Sequence, residues 1–407
     1  MNSYLQIGEP YVTKNGQKAR LCTKLEEYSD GKLVRDYEMW FEVDDRFSHG
    51  LCYEKIDAFV AATLFYCMEK GLDIRSDAKI SERLLYQLSS EYIPVISKNT
   101  KKYNPIDIVA PTDGSRVPSF GRVGTGVSGG VDSFYTILKH YKVAEELKDY
   151  ELTDLTFFNV GSHGDNGGKI ARELFYKRSI KAKKIAEELE LPIILVDSNI
   201  SEFICQSFLA TASVRNIAAI LALQKYFCKY YFSSGEPVSF FNLDERENDN
   251  YDILNTVHFS TENVEIYNTG LSQTRIDKLE FISKYPVARK NLNICIAGED
   301  NCGECDKCVR TMNALYALDA LYLYDEVFDL KKYKDNLSER WSVTLERMSN
   351  DTYSQQNHLE AYNLMVEKGK AIPKDAFKYL NKRKTQKFFK KVKNKLKAIF
   401  RKQTKTS

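Results

Sequence analysis

Ser128-Gly129-Gly130-Val131-Asp132-Ser133 lies between a short apolar run and a helix-like stretch. Two adjacent glycines let a backbone approach a bound group closely, and successive N–H groups there can converge on an anion. A helix opening at Asp132 adds unpaired first-turn donors and the positive end of its dipole. Ser128 and Ser133 bring hydroxyl donors, and Asp132 brings a carboxylate able to hold Mg²⁺ directly or through water. Such a set suits AMP transfer from ATP, where pyrophosphate leaves and its developing charge must be stabilised. The overlapping Gly124-x-Gly126-x-x-Gly129 matches a dinucleotide fingerprint, but its first two glycines fall inside the expected strand rather than in the turn after it.

A second constellation is Cys295, Cys302, Cys305 and Cys308, with Gly303 giving a tight turn between ligands. Four thiolates at these steps can wrap one tetrahedral Zn²⁺. With no open coordination position the metal is expected to be structural and to contribute folding energy to an irregular loop. An iron–sulfur cluster or a dithiol pair are the alternatives, but no redox-cofactor motif accompanies the cysteines. The other five of the nine cysteines, Cys22, Cys52, Cys67, Cys205 and Cys228, sit in apolar patterns and are expected to be small core residues.

Chemistry at the loop needs a scaffold, and the pattern supplies one. Strands are expected at Val123–Val127, Leu155–Val160, Ile193–Val196, Tyr230–Ser233 and Val264–Tyr267. Helices are expected at Asp132–Tyr141, Arg172–Leu189, Val214–Cys228 and Thr274–Lys284. This alternation predicts an α/β domain with a parallel sheet, whose ligands bind beyond the carboxyl ends of the strands. Arg215 and Asn216 then open one helix, Arg275 and Lys278 another, and His163 follows a strand on the same face. Arg215, Arg275 and Lys278 could steady charge during transfer, with Asn216 and His163 reaching the cleft; the plainer expectation is solvated helix-start cations and a structural histidine.

Before this domain, Ala19–Tyr28 and Leu33–Val43 read as a hairpin turning at Ser29-Asp30-Gly31-Lys32. Helical patterns at Ile56–Lys70 and Ile80–Ser97 and a strand at Ile106–Ala110 follow. Pro111-Thr112-Asp113-Gly114-Ser115 is turn chemistry and a plausible linker. Beyond the cysteines, Thr311–Tyr324 and Ser354–Lys368 read as helices. The expected division is an N-terminal α+β domain at 1–118, an ATP-binding domain with the zinc loop at 119–325, and a helical C-terminal region at 326–407.

The Ser128–Ser133 loop resembles the PP-loop of the ATP pyrophosphatases. Combined with Arg215-Asn216, Cys295, Cys302-Gly303-x-Cys305-x-x-Cys308 and Arg310, it resembles the 7-cyano-7-deazaguanine synthases in particular, over about 123–315. That resemblance implies a Rossmann-like adenine-nucleotide hydrolase fold. It also implies adenylation of a carboxylate by ATP, with attack on the acyl-adenylate by ammonia. The stretch after Tyr230–Ser233, Gly235 to Arg246, does not align with the family's acidic and aromatic substrate loop. The N-terminal unit and the basic C-terminal region are additions to a compact family. The activation chemistry therefore carries over better than the substrate.

The composition is ordinary for a globular protein: 407 residues, 43% hydrophobic and 28% charged, leave room for a sizeable core and two or three domains. Met1–Pro10 has no basic patch followed by an apolar run, and no segment reaches some eighteen uninterrupted apolar residues, so a cytoplasmic chain is expected. The net charge of +3 hides a strongly basic end after Lys374. There Phe389, Val392, Leu396 and Ile399 recur at three- and four-residue steps, with lysines on the other face. A basic amphipathic helix of this kind can lie peripherally on an anionic membrane surface, contact RNA phosphates, or pack on its own domain. No interleaving of aromatic and basic residues marks a base-stacking platform. The expected activity is an ATP-dependent C–N ligase acting on a small carboxylate with ammonia or an amine. The alternatives are a tRNA-modifying PP-loop enzyme and a non-catalytic nucleotide-binding adaptor.

Overall fold

The computed structural model describes residues 3–295, 298–348 and 355–385. The predicted basic amphipathic stretch at 388–400 lies outside them. The chain divides into two compact units, Met1–Gln273 and Thr274–Ser407.

The first unit is α/β. Its strands are β1 (Tyr4–Ile7), β2 (Tyr11–Asn15), β3 (Lys18–Ser29), β4 (Lys32–Asp44), β5 (Asp73–Arg75), β6 (Ile80–Ser81), β7 (Ile108–Val109), β8 (Thr112–Asp113), β9 (Arg122–Gly126), β10 (Asp154–Asn159), β11 (Ile193–Ser198), β12 (Phe227–Ser233) and β13 (Glu265–Thr269). Five of them form the parallel run β13-β12-β9-β10-β11. Helices α1 (Asp57–Lys70), α2 (Val131–His140), α3 (Gly168–Glu188), α4 (Phe208–Ala222) and α5 (Asp252–His258) belong to the same unit. Of these, α2 connects β9 to β10, α3 connects β10 to β11, and α4 connects β11 to β12. Strand β9 is thus the first of the run, and later strands add on one side of it and then on the other. The reversal falls between β9 and β12, where the carboxyl ends of the strands part to leave a crevice.

The predicted boundary near residue 118 is not a break in the sheet. The β3–β4 hairpin turns at Asp30 and Gly31, both at positive φ (+49° and +77°), as a two-residue turn between twisted strands requires. Its second strand then pairs antiparallel with β11, Phe41 opposite Ser198 and Glu42 opposite Asp197. The hairpin covers the edge that the parallel run would otherwise leave unpaired, and the sheet continues through β3, β1, β5 and β7. The turn-rich stretch after Ala110 is likewise tied down, since Thr112 and Asp113 pair with Ile80 and Ser81. One apolar cluster spans the unit, from Leu5 and Phe41 to Ile217 and Ile266. Helix α1 is buried on nearly every face and packs along α4, as expected for a helix apolar all round.

The second unit is helical: α6 (Arg275–Ile282), a short turn at Pro286–Asn291, the cysteine loop, α7 (Asp306–Ala317), α8 (Leu337–Met348) and α9 (Gln355–Glu367). Helices α7, α8 and α9 pack on one another, and Trp341 on α8 is fully buried with its ring edge-on to Tyr316 of α7. A buried polar chain ties the three. Asn313 Nδ2 donates to Thr344 Oγ1 at 2.9 Å, and Thr344 Oγ1 lies 2.9 Å from His358 Nδ1. No helix among the described residues is long and apolar enough to cross a membrane.

Candidate functional site

A cleft of about 390 Å³ opens beyond the carboxyl ends of β9, β10 and β12. Ser128, Asp132 and Ser133 form one side, Thr156 and Phe158 come from β10, Tyr230 and Phe232 from β12, and Asn216 from α4. Thr156 Oγ1 and Tyr230 OH meet at 2.6 Å in its floor.

The glycine loop is folded by its own side chains. Ser133 Oγ donates to Gly126 O at 2.8 Å and accepts from Ser128 N at 3.1 Å, while Ser128 Oγ accepts from Gly130 N at 3.2 Å. Gly129 sits at φ +76°, a left-handed conformation that a Cβ disfavours by about 1–2 kcal/mol. Helix bonding starts with Phe134 N to Gly130 O at 3.0 Å, so the first-turn amides of α2 lack intrahelical acceptors. Val131 is buried and contributes backbone alone to this turn. Ser133, expected as a ligand donor, uses its proton within the loop; its hydroxyl sets the shape of the cradle. Gly124 has a packing reason instead, because a Cβ there would stand 2.5 Å from the Phe227 ring.

Three carboxylates face this cleft: Asp132 from the loop, Asp249 from the segment between β12 and α5, and Asp252 from the first position of α5. Asp252 is 3% exposed and accepts from Ser213 Oγ and from Asn255 Nδ2. The sequence pattern did not single out Asp249 or Asp252, because the irregular stretch before them has no helical or strand period. Among the described residues, no lysine, arginine or histidine lines the cleft.

Four expected site residues, Arg215, His163, Arg275 and Lys278, do not line the cleft. Helix α4 begins at Phe208, not at Val214, and ends at Ala222, leaving Phe227 and Cys228 to β12. Arg215 is therefore in the helix interior. It is fully buried and donates to Gln206 O (2.6 Å), Ser201 Oγ (3.1 Å) and Val160 O (3.3 Å). Burial pulls its guanidinium down to about 10, opposed by the charge of Asp165. It does not line the cleft, whereas its neighbour Asn216 does, anchored by Nδ2 to Ala212 O at 2.8 Å. His163 is also buried, between Phe157 and Phe175 at centroid distances of 5.3 and 5.5 Å. Desolvation lowers its pKa to about 4, with Arg178 adding to the effect, so the ring is neutral. Ser162, 3.0 Å from His163 Nδ1, lines the cleft in its place. Arg275 and Lys278 belong to the second unit, on α6; Lys278 is 1% exposed, unlike a solvated helix-start cation.

The four cysteines come together as the spacing requires. Their sulfurs all lie within 4.8 Å of one another, with Cys295–Cys305 and Cys302–Cys308 each at 3.9 Å. A tetrahedron with metal–sulfur arms of about 2.3 Å has edges of about 3.8 Å, whereas a disulfide needs about 2.05 Å. The group therefore fits a single four-thiolate metal. Gly303 at φ +70° makes the turn, and the amides of Glu304 and Cys305 donate to Cys302 Sγ at 3.4 and 3.3 Å. Ion pairs hold the loop to its own unit: Glu304 to Lys332 at 2.7 Å, and Asp306 to Arg347 at 3.0 Å. Among the remaining cysteines, Cys22, Cys52 and Cys67 are buried as expected, but Cys228 is half-buried and Cys205 exposed. Cys205 caps a short helix at φ +48°, turning its side chain outward from the apolar run.

No protein-family model matches the chain, and no curated protein or solved structure matches it.

Proposed function

We propose that the chain is an ATP-dependent adenylating enzyme of the PP-loop kind, built on a Rossmann-like nucleotide fold. The observation that carries this reading is the Ser128–Ser133 cradle at the carboxyl end of β9, opening a cleft where the strand order reverses. Backbone amides of the loop and of the first turn of α2 bind the phosphates, and the apolar faces of Phe158 and Phe232 accommodate the base.

In the proposed reaction a carboxylate oxygen of the acceptor bonds to the α-phosphorus of ATP, and the bond to the bridging oxygen breaks, releasing pyrophosphate. Ammonia or an amine then attacks the acyl carbon, losing a proton, and AMP leaves with the electron pair of the broken C–O bond. Asp132, Asp249 and Asp252 fit a divalent cation better than bare phosphate, since like charges repel in a cleft lined by no described cationic side chain. Mg²⁺ bound there supplies charge neutralisation. Cys295, Cys302, Cys305 and Cys308 would hold zinc through four thiolates, and a metal so held would serve the fold rather than the reaction.

The test is AMP release from Mg·ATP by zinc-loaded protein with ammonium, with and without 7-carboxy-7-deazaguanine. AMP that depends on this acid supports adenylation and a deazapurine acceptor. ATP binding without AMP under any carboxylate favours a nucleotide-binding adaptor.

A further inference from the structure

Arg215 is a fully buried cation whose three acceptors lie on three separate segments: Val160 just after β10, Ser201 on the short helix after β11, and Gln206 in the turn before α4. Two further contacts bring it to the cleft wall. Its guanidinium lies 5.8 Å from the ring of Phe208, and a Cβ on Gly161 would stand 2.4 Å from its Nη1 and 2.6 Å from Phe208 Cδ2. Gly161, at φ +129°, is thus the residue that lets the chain leave β10 directly against the guanidinium. Phe208 and the next residue after the glycine, Ser162, both line the cleft.

We propose that Arg215 is a positioning residue for the nucleotide cleft. Its planar fork clamps the ends of β10 and of the turn before α4 in one register, which fixes Ser162 and Phe208 in the cleft wall. The inference rests on the reading of that cleft as an ATP site. Two physical points favour a positioning role over one in stability alone. Burying an arginine costs desolvation that a well-packed apolar side chain of similar volume avoids, so the fold gains little from a charge at this place. The fixed fork of a guanidinium also reaches several carbonyl and hydroxyl acceptors at set angles, which a lysine ammonium does not reproduce.

The experiment is titration calorimetry of Mg·ATP into the full chain and into Arg215→Lys, Arg215→Met and Ser201→Ala, with thermal melting and amide exchange on each. Arg215→Lys is expected to weaken ATP binding by about tenfold and Ser201→Ala by about threefold, in keeping with the sensitivity of bound geometry to small displacements. Melting temperatures of these two stay near that of the parent chain, and faster exchange is confined to 161–168 and 206–208. Arg215→Met is expected to bind more weakly than Arg215→Lys; if it fails to fold, the other two variants carry the test. Parent-like ATP affinity in both Arg215→Lys and Ser201→Ala overturns the clamp alone. Failure of the parent chain to bind Mg·ATP overturns the nucleotide reading, and the clamp with it.

Discussion

The glycine loop at 128–133 and the cysteine loop at 295–308 both turn on a left-handed glycine, Gly129 at φ +76° and Gly303 at φ +70°, yet they hold their shape by different means. The first is an extension of the scaffold: β9 delivers it, α2 continues it, and Ser133 stitches it to Gly126. Among its described residues the second has little regular structure before α7, and its sulfurs converge at tetrahedral spacing. A loop carried by a sheet can be shaped without its ligand. A loop whose side chains all aim at one point is shaped by what sits at that point. The two sites should therefore respond in opposite ways to loss of ligand and to change of a single residue.

The largest effect should follow removal of metal. Four-thiolate zinc sites bind with ~10 kcal/mol or more of free energy that is also folding energy. Elemental analysis is expected to find one zinc per chain, and chelation or Cys305→Ser is expected to remove it and to melt α7–α9, read as lost helical circular dichroism. Chelation of Mg²⁺ alone should leave that signal untouched. A zinc-free chain with intact helicity would break the contrast between the two loops.

Next in size is Asp132→Asn, which keeps the shape of the cradle but removes one of the three carboxylates. AMP formation should fall by about 10²-fold, with zinc content and melting temperature unchanged. Smaller still are the paired alanine replacements. Gly129→Ala and Gly303→Ala each place a Cβ at positive φ, costing about 1–2 kcal/mol. The first should weaken ATP binding without altering zinc content, and the second the reverse; cross-talk between the two readouts would show that the loops are not independent.

The smallest effect concerns His163. Folded, it stays neutral down to about pH 4, whereas the unfolded chain takes up its proton near its ordinary value of 6.5. Between those values the unfolded state binds more protons, so stability falls as pH drops through the window. His140, stacked on Tyr231 at 3.5 Å and lowered to about 4 by desolvation, adds to the same slope. His163→Phe is expected to flatten part of that fall in melting temperature and to leave AMP formation at pH 7.5 unchanged. Loss of activity would return His163 to the site.

The elements closest to the chemistry were the most readable from residues alone. Expected strands at Val123–Val127, Leu155–Val160 and Ile193–Val196 lie within one or two residues of β9, β10 and β11 at their starts and ends. Apolar runs bounded by glycine, proline or charged residues mark such strands well. Helix α4 is less legible, because Phe208–Ser213 contains small residues and no clear polar face, so the apolar period is plain only from Val214. That pattern puts Arg215 at the opening of the expected helix, whereas it lies in the interior of α4. The helical pattern after Ile80 likewise missed that Ile80 and Ser81 first pair with β8, a partner distant in the chain.

The sequence by itself determined the two local devices: a glycine turn framed by Ser128 and Ser133, and four cysteines at steps that close on one metal. Both depend on near neighbours along the chain, so spacing suffices to specify them. Only the tertiary structure decided that the N-terminal hairpin completes the sheet through β4 and β11, that Asp249 and Asp252 face the cleft, and that Arg215 and His163 lie behind its wall. Those outcomes are set by which backbone edges need partners and which side chains lose water on packing. Both are properties of residues far apart in the chain.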